Sequence, residues 1–433
     1  MTPIRRSPRF ACAALLWALP SLDAQSTIAS RVAQAPAGAV QLEYAARASA
    51  CGDGKDVVGY RNAIFARNFQ SIGGWSNVRC VAGPIRVTLT VANGQVSTLR
   101  TQIGGQWPVG DGRVTNLGTV PSREASAYFF SLAPRLESSS GKDRTLLPAV
   151  LADEAVVVPP LLAIARDDAR SDQMRRQAFQ WLGLLGDASI IPVLVGFARQ
   201  GTNDLDGKKS KKSIASAAIA ALGSLEEGVG VPALIELARR GPASARHESV
   251  FWLGQNGDPR AIRTLHTVIE DANEEDKVRA HAIFSLSHGS DVSASEFAYL
   301  RGIYPRLEGD ALKEAVMQAM QQDESAGSRW LIAQARDQRE PVRLRRTALF
   351  WAGQRESTPT ADLVSAYRDG GDAGFREHAI FVLSQRQDEA ATEALLRIAR
   401  EDSDTKMRGK ALFWLAQKND PRVTKLISDL LVK

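Results

Sequence analysis

The sequence predicts a mainly α-helical protein, an α-solenoid of about eight to nine helix pairs preceded by a small β-rich domain. Three observations predict this class. A short phrase of residues, most often beginning with Phe, recurs at a nearly constant spacing in the C-terminal part, and the periodicity of the N-terminal part is that of strands. The chain has 433 residues, which is too long for one ordinary compact core, so two structural parts are expected.

The first 24 residues have the pattern of a cleaved secretory signal peptide. Three arginines within the first nine residues give a positive start, an apolar run follows from residue 10 to residue 22, and Ala24 suits a cleavage site. A short helix of the mature fold is the alternative. No later segment supplies the uninterrupted run of about 18 apolar residues that a membrane span needs. We therefore expect a soluble periplasmic or secreted protein without a transmembrane span.

Residues 40–120 are predicted to form a β-rich domain. Apolar residues occupy every second position from Ile85 to Val91, and the Asn-Gly pair that follows is typical of a tight β-hairpin. After removal of the signal, Cys51 and Cys80 are the remaining cysteines. In an oxidising compartment such a pair is expected to form a disulfide that pins the domain, and two free buried thiols are the alternative.

The repeated phrase predicts the solenoid. Its clearest copy is Phe-Trp-Leu-Gly-Gln at residues 251–255. The copies are expected to begin at residues 179, 220, 251, 284, 317, 350, 381 and 413. One helix pair cannot bury its own apolar face, so this rhythm indicates pairs that stack into a continuous core. We expect a helical cap or linker over residues 122–167 and the repeat array over residues 168–433.

The units resemble a known family. Each has about 32 residues, several have Asp-Pro turns such as Asp258-Pro259, and an arginine precedes the Ala/Phe stripe. In these features they resemble the short HEAT-like repeats of bacterial proteins, including exported HEAT-repeat proteins, and related units occur in phycobilin lyases and in deoxyhypusine hydroxylase. The resemblance covers residues 145–433. It implies the solenoid fold, which hosts many functions.

A metal centre is the first catalytic hypothesis that the resemblance raises. In deoxyhypusine hydroxylase, His-Glu pairs at this place in several repeats supply ligands to a two-iron centre. Here one unit carries the pair, as His247-Glu248, and its counterparts in other units do not match. Such a centre needs several converging ligands. We therefore expect no metal, no cofactor and no catalytic residue.

Five units carry an arginine five positions before the phrase. These residues are Arg246, Arg279, Arg345, Arg376 and Arg408. Repeated arginines near repeated turn aspartates are expected to pair along the array and to have a structural role. A binding stripe for acidic partners is the alternative.

The phrase aromatics are predicted to lie mainly in the core, because they recur within an Ala/Leu periodicity. The alternative is that tryptophans such as Trp252, Trp351 and Trp414 are partly exposed and form a binding surface. The concentrated charge cluster Lys208, Lys209, Lys211 and Lys212 lies in an insertion between units. It is expected to be a solvated loop, or to contact an anionic envelope polymer or lipid head groups.

These observations favour an exported, non-catalytic adaptor or scaffold. A protein or peptide partner would bind the curved inner face of the array, formed chiefly by the second helices. The formal net charge of +6 is a weak excess and does not indicate nucleic-acid binding. The alternatives are an enzyme or enzyme subunit related to the HEAT-repeat lyases and hydroxylases, and binding of an anionic polymer through the 208–212 loop.

Overall fold

The computed structural model describes most of the chain after the expected signal. The described residues are 26–60, 63–64, 80–107, 112–140, 145–200, 214–289, 292–418 and 422–424. The predicted signal peptide and the lysine cluster of residues 208–212 lie outside the described residues. The chain divides into two compact units, residues 1–157 and residues 158–433. The segment expected to be a cap, residues 122–167, has residues in both units.

The first unit contains two small sheets and three helices in its described part. In chain order its elements are α1 (Ile28–Gln34), β1 (Gly38–Tyr44), β2 (Ala50–Gly52), β3 (Val57–Tyr60), β4 (Ala63–Ile64), β5 (Ile85–Ala92), β6 (Gln95–Ile103), β7 (Val114–Thr119), α2 (Ser122–Ser140) and α3 (Leu147–Val150). One sheet has the strand order β6-β5-β1-β7 and the other has the order β2-β3-β4. Strand β1 pairs antiparallel with β5 and parallel with β7.

The predicted hairpin and disulfide are both present. Strands β5 and β6 are joined by Asn93 and Gly94, whose φ values of 53° and 71° are those that a tight hairpin turn requires. The inward side chains of β5, at alternate positions from Ile85 to Val91, are buried. Cys51 and Cys80 form a disulfide with a Cα–Cα distance of 5.2 Å. It joins β2 to the segment before β5 and confirms the expected pinning of this unit.

The second unit is an array of helix pairs, which confirms the predicted α-solenoid. Its helices are α4 (Val158–Arg166), α5 (Asp172–Leu185), α6 (Ile191–Ala198), α7 (Ile214–Ser224), α8 (Val231–Arg240), α9 (Ala243–Gly254), α10 (Pro259–Glu270), α11 (Asp276–Ser287), α12 (Ala294–Ile303), α13 (Asp310–Ala319), α14 (Gly327–Arg336), α15 (Val342–Gly353), α16 (Thr360–Asp369), α17 (Ala373–Gln385), α18 (Glu389–Glu401) and α19 (Thr405–Leu415). The odd-numbered helices from α5 onward carry the phrase and are called phrase helices. The even-numbered helices from α6 onward are the second helices.

Side-chain caps set where several of these helices begin. Asp258 accepts a hydrogen bond from the backbone N–H of Arg260, and Pro259 occupies the first turn of α10, where its missing N–H costs nothing. Asp388 caps α18 in the same way through the N–H of Ala391. The Asp-Pro and Asp turns therefore end one helix and start the next.

Phrase glycines allow the phrase helices to pack closely. A Cβ added to the fourth residue of the phrase would lie 2.2 to 2.8 Å from an atom of the second phrase residue in the next unit. These contacts join Gly183 to Ala221, Gly223 to Trp252, Gly254 to Ser285 and Gly353 to Val382. Neighbouring phrase helices are packed more extensively than neighbouring second helices. The phrase helices are therefore the more closely packed layer of the array.

The same contacts correct the frame of two phrase copies. Because Gly183 packs as Gly254 does, the first copy begins at Gln180, one residue later than predicted. Gln321 bonds to the backbone of Trp351, the second residue of the next phrase, so Gln321 takes the fourth position and that copy also begins one residue later. In the corrected frame Phe179 occupies the place of the buried Val250, and it is itself buried.

In the described part of the chain, no helix combines the length and the apolar character needed to cross a membrane.

Candidate active site on the phrase helices

Phenylalanines at the first phrase position lie on the outward face of the phrase helices, which corrects the prediction that they are core residues. Phe284 is 36% exposed and Phe413 is 58% exposed. Phe251, Phe350 and Phe381 are half-buried. The third phrase position, filled by residues such as Leu253 and Leu415, points into the core instead. Residues two positions apart on a helix point in directions that differ by about 200° around its axis, so the first and third phrase positions cannot both face the core.

The phrase tryptophans lie between neighbouring phrase helices. Trp252, Trp351 and Trp414 are half-buried, and each ring packs edge-on against the phenylalanine that precedes it at a centroid distance of 5.2 to 5.5 Å. Trp252 also covers Gly223 of the preceding phrase helix. These tryptophans pack neighbouring phrase helices together. Their exposed surface adds to the row of first-position phenylalanines, Phe251, Phe284, Phe350, Phe381 and Phe413, which we call the phenylalanine stripe.

Two of the five repeat arginines are buried and bond to helix ends. The Nε atoms of Arg279 and Arg345 donate to the carbonyl oxygens of Ile269 and Ala335, each at 3.0 Å. These carbonyls belong to the last turn of the preceding second helix, where backbone acceptors lack partners within the helix. Arg345 also donates to the carbonyl of Gly370 at 3.2 Å. The buried arginines therefore join each unit to its neighbour.

The other three arginines bond to acidic side chains or turn carbonyls. Arg246 donates to both carboxylate oxygens of Glu274, at 3.0 to 3.2 Å. Arg376 donates to the Asp402 carboxylate at 2.6 Å. Arg408 donates to the carbonyl oxygen of Asp402, also at 2.6 Å. Ion pairs with aspartate side chains were expected for all five arginines, but such pairs account for only some of the contacts that these arginines make.

The corrected frame adds two residues that the sequence analysis missed. Arg175 lies five positions before the first copy and its Nε donates to the carbonyl of Ala165 at 3.1 Å, as Arg279 and Arg345 do with their helices. Lys313 takes the same position four units later and pairs with Glu340 at 3.1 Å. The glycine at the fourth phrase position was the signal that could have placed the first of these.

A pocket of about 280 Å³ opens on the phrase helices α9, α11 and α13. His247 of α9, three residues of α11 and the residue that follows α11 supply its reactive and aromatic lining. The three residues of α11 are Lys277, His281 and Phe284, and the residue after the helix is His288. Small residues of α11 and α13, including Ala280, Ala315 and Ala319, leave the space that the pocket occupies. Three consecutive units therefore build one site.

Two histidine rings meet in this pocket. The ring centroids of His247 and His281 are 3.9 Å apart, with the planes inclined by 38°. His288, the residue that caps the C-terminus of α11, stacks on Phe284 at a centroid distance of 4.1 Å. The Ser287 hydroxyl lies 2.9 Å from Nδ1 of His288. The pocket thus combines imidazole nitrogens with a flat aromatic surface.

The surroundings keep the paired imidazoles neutral. Burial lowers the pKa of His281 to about 4, with a further lowering by His247. Burial also lowers the pKa of His247, and the positive charge of Lys277 acts in the same direction. Neutral imidazoles carry one free lone pair and one N–H each, so each ring can accept a proton or donate a hydrogen bond near neutral pH.

In the part of the chain that the structure describes, no group of three or more His, Cys, Asp or Glu side chains is arranged to hold a metal ion.

The fold and the stacked units define an α-solenoid of HEAT-like repeats. Within it, residues 245–271 match the PBS lyase HEAT-like repeat. The matched segment begins in α9, includes His247 and extends through α10. This match confirms the family resemblance that the sequence analysis stated.

Two solved structures are similar to the chain. Human deoxyhypusine hydroxylase shares 21% identity over 57% of this chain and 91% of its own, with a TM-score of 0.25. The complex of CpcE and CpcF of phycocyanin lyase from Nostoc sp. PCC7120 shares 15% identity over 60% of this chain and 94% of the matched chain, with a TM-score of 0.28. No curated protein matches the chain.

The family match corrects the prediction that the protein is not an enzyme. That prediction depended on the lack of a linear catalytic motif in the sequence, whereas the matched repeat is described as that of a lyase. A site assembled from single residues of three units leaves no such motif, because its members are about one repeat apart in the chain.

Proposed function

We propose that the protein is a lyase-type enzyme, or the catalytic subunit of one. Its reaction site is the pocket lined by His247, His281 and His288, which we call the imidazole pocket. A lyase breaks a carbon bond by elimination, without water or an oxidant as reactant. Such a step needs a base that takes a proton from the substrate and a donor that stabilises the developing negative charge. The contact between His247 and His281 in a partly enclosed pocket is the observation that supports this proposal.

The two rings are proposed to have different roles. His281, whose pKa is lowered to about 4, stays neutral and donates a hydrogen bond from its ring N–H to the developing charge. His247 is the base, because its pKa is also lowered and its free nitrogen is therefore available at neutral pH. The stacked pair of Phe284 and His288 supplies a surface for a planar substrate.

An elimination probe tests this proposal. 5-Nitrobenzisoxazole is a neutral planar molecule whose ring opens when a base removes its carbon-bound proton, and the product is followed by absorbance. We expect the ring to open faster with the protein than with free imidazole at equal concentration. His247→Gln should lower the rate by about tenfold or more. His281→Leu should lower it as well, because the ring N–H donor is lost.

A histidine outside the pocket provides the matched control. His266 lies on second helix α10 and bonds to Glu296 at 2.6 Å, so His266→Gln should leave the rate unchanged. Equal rates for the unmodified protein and both pocket variants would contradict the proposal.

We also propose that a protein or peptide partner binds the phenylalanine stripe beyond the pocket. Phe350, Phe381 and Phe413 present partly exposed rings on successive phrase helices, and exposed aromatic rings in a row are typical of a binding surface. Cross-linking from a photoreactive residue in place of Phe413 should capture a partner that the same residue placed at exposed Arg339 does not.

Export to an oxidising compartment is a further part of the proposal. The N-terminal pattern of the sequence and the Cys51–Cys80 disulfide support it, since structural disulfides persist mainly outside the cytosol. Sequencing the N-terminus of the protein from cell fractions tests this point, and a cytosolic chain that retains Met1 would contradict it.

A further inference from the structure

An ion pair recurs between successive phrase helices near the pocket face. A cation seven positions before the phrase pairs with an acid four positions before the phrase of the preceding unit. Arg343 pairs in this way with Glu314, and Lys406 pairs with Glu377. The array therefore has a defined place in which one unit's cation is neutralised by its neighbour's acid.

The pocket keeps the cation of this arrangement and lacks the acid. Lys277 occupies the cation's position, seven residues before Phe284. The position of Glu314 and Glu377 is taken here by His247. Within the described part of the chain Lys277 makes no ion pair, its side chain is exposed, and its charge lowers the pKa of His247.

Stability does not account for Lys277. It lies in the first turn of α11 (Asp276–Ser287), at the helix end where the backbone dipole disfavours a cation. The neighbouring Asp276 bonds instead to Arg279, at 3.3 Å. An unneutralised ammonium at the edge of a pocket is instead suited to a ligand that brings its own negative charge.

We propose that Lys277 binds an oxyanion of the substrate, a carboxylate or phosphate carried by a small planar apolar molecule. The inference rests on the proposed function and names its substrate class. Lys277, His281, Phe284 and His288 follow one face of α11, and the helical rise places Lys277 about 10 Å from Phe284. The anion therefore lies at the Lys277 end, the ring lies towards Phe284, and the reacting bond lies beside the imidazoles between them.

A pocket of about 280 Å³ limits the size of this molecule. It has room for one ring with a few substituents and is at the lower end of the range for small-molecule sites. Benzoate and phenyl phosphate are suitable probes for the two oxyanions, and benzamide is their neutral counterpart of similar shape.

Ligand-observed NMR titrations of the full-length chain test the inference. We expect benzoate, phenyl phosphate or both to bind about fivefold more tightly than benzamide, because only the oxyanion adds a charge–charge attraction to the hydrogen bond from the Lys277 ammonium. A preference for one of the two anions would identify the oxyanion. Lys277→Met should abolish the preference.

A second variant and a control separate the charge from general effects. His247→Glu restores the acid of the Glu314–Arg343 and Glu377–Lys406 pairs, so it should neutralise Lys277 and also abolish the preference while the lysine is still present. Lys406→Met removes the equivalent cation of a paired site and should leave the preference unchanged. Thermal melting of each variant verifies that the array is folded.

The inference is overturned if benzamide binds the unmodified protein as tightly as both anions, or if the preference for an anion survives Lys277→Met. The elimination of the neutral 5-nitrobenzisoxazole is measured independently of these binding titrations. Elimination without a preference for anions would refute the substrate class alone, and a preference for anions without elimination would refute the proposed reaction alone.

Discussion

Replacing Gly254 by alanine tests how the phrase helices approach one another. A Cβ at this position would lie 2.6 Å from the carbonyl oxygen and 2.7 Å from the Cβ of Ser285, on the next phrase helix. Both neighbours belong to or adjoin the backbone of α11, so neither can rotate away. The alanine must therefore push α9 and α11 apart.

The expected change in the free energy of unfolding of Gly254→Ala follows from two opposing effects. Introducing a methyl group into a filled space costs about 1–3 kcal/mol. Alanine also favours the helix over glycine by up to about 1 kcal/mol. Gly302 of α12 separates these terms, because a Cβ there meets no atom within 4 Å. Gly302→Ala should therefore be stabilising, and the two variants should differ by about 1–3 kcal/mol in free energy of unfolding.

Thermal and chemical denaturation measure the difference. For a unit of this size each 1 kcal/mol corresponds to about 2–4 °C in melting temperature. Because the displacement also separates His247 from His281, Gly254→Ala should slow the elimination of 5-nitrobenzisoxazole, whereas Gly302→Ala should not. A Gly254→Ala protein that is as stable as Gly302→Ala would refute the close-packing argument.

The remaining predictions concern the buried groups and the disulfide. The folded-state pKa of His281 is lowered from 6.5 to about 4, so the unfolded chain binds more protons between these pH values and stability should fall as the pH is lowered through them. His281→Gln should make the melting temperature less dependent on pH over this window. An unchanged dependence would contradict the assignment. Arg345→Met leaves the carbonyls of the preceding helix end and of the next turn without their donor and should destabilise the array by about 1–3 kcal/mol in urea unfolding, whereas Arg339→Met, at an exposed turn, should have little effect. Replacing both Cys51 and Cys80 by serine opens a link across 29 residues and should destabilise the first unit by about 3–4 kcal/mol, and equal denaturation with and without reductant would contradict this.

The phrase shows how far the sequence could predict the site. The spacing identified the phrase helices and placed His247 and His281 on them, because helical position depends on local periodicity. It could not show that the first-position phenylalanines face outward. That orientation depends on which side of each helix its neighbours cover, and two adjacent large aromatic residues such as Phe251 and Trp252 do not themselves indicate which one faces the core.

The pocket depended on contacts between units. His247 lies four positions before its phrase and His281 three positions before its own, and their rings meet between α9 and α11, whose close approach the missing Cβ of Gly254 allows. That Lys277 has no acid partner among the described residues likewise becomes visible only when the Arg343–Glu314 and Lys406–Glu377 pairs are compared with it. No single segment carries this information.

The sequence by itself determined the class of fold: a repeat of helix pairs that must stack to bury their apolar faces, and a strand-rich unit held by a disulfide. Local periodicity and turn residues are sufficient for that conclusion, because they act within a few positions of the chain. The tertiary structure decided which layer packs more closely, which aromatics remain exposed and which histidines meet. These properties depend on the distance between helices that are about one repeat apart in the chain, and that distance is set by side-chain volume at the contacts between units.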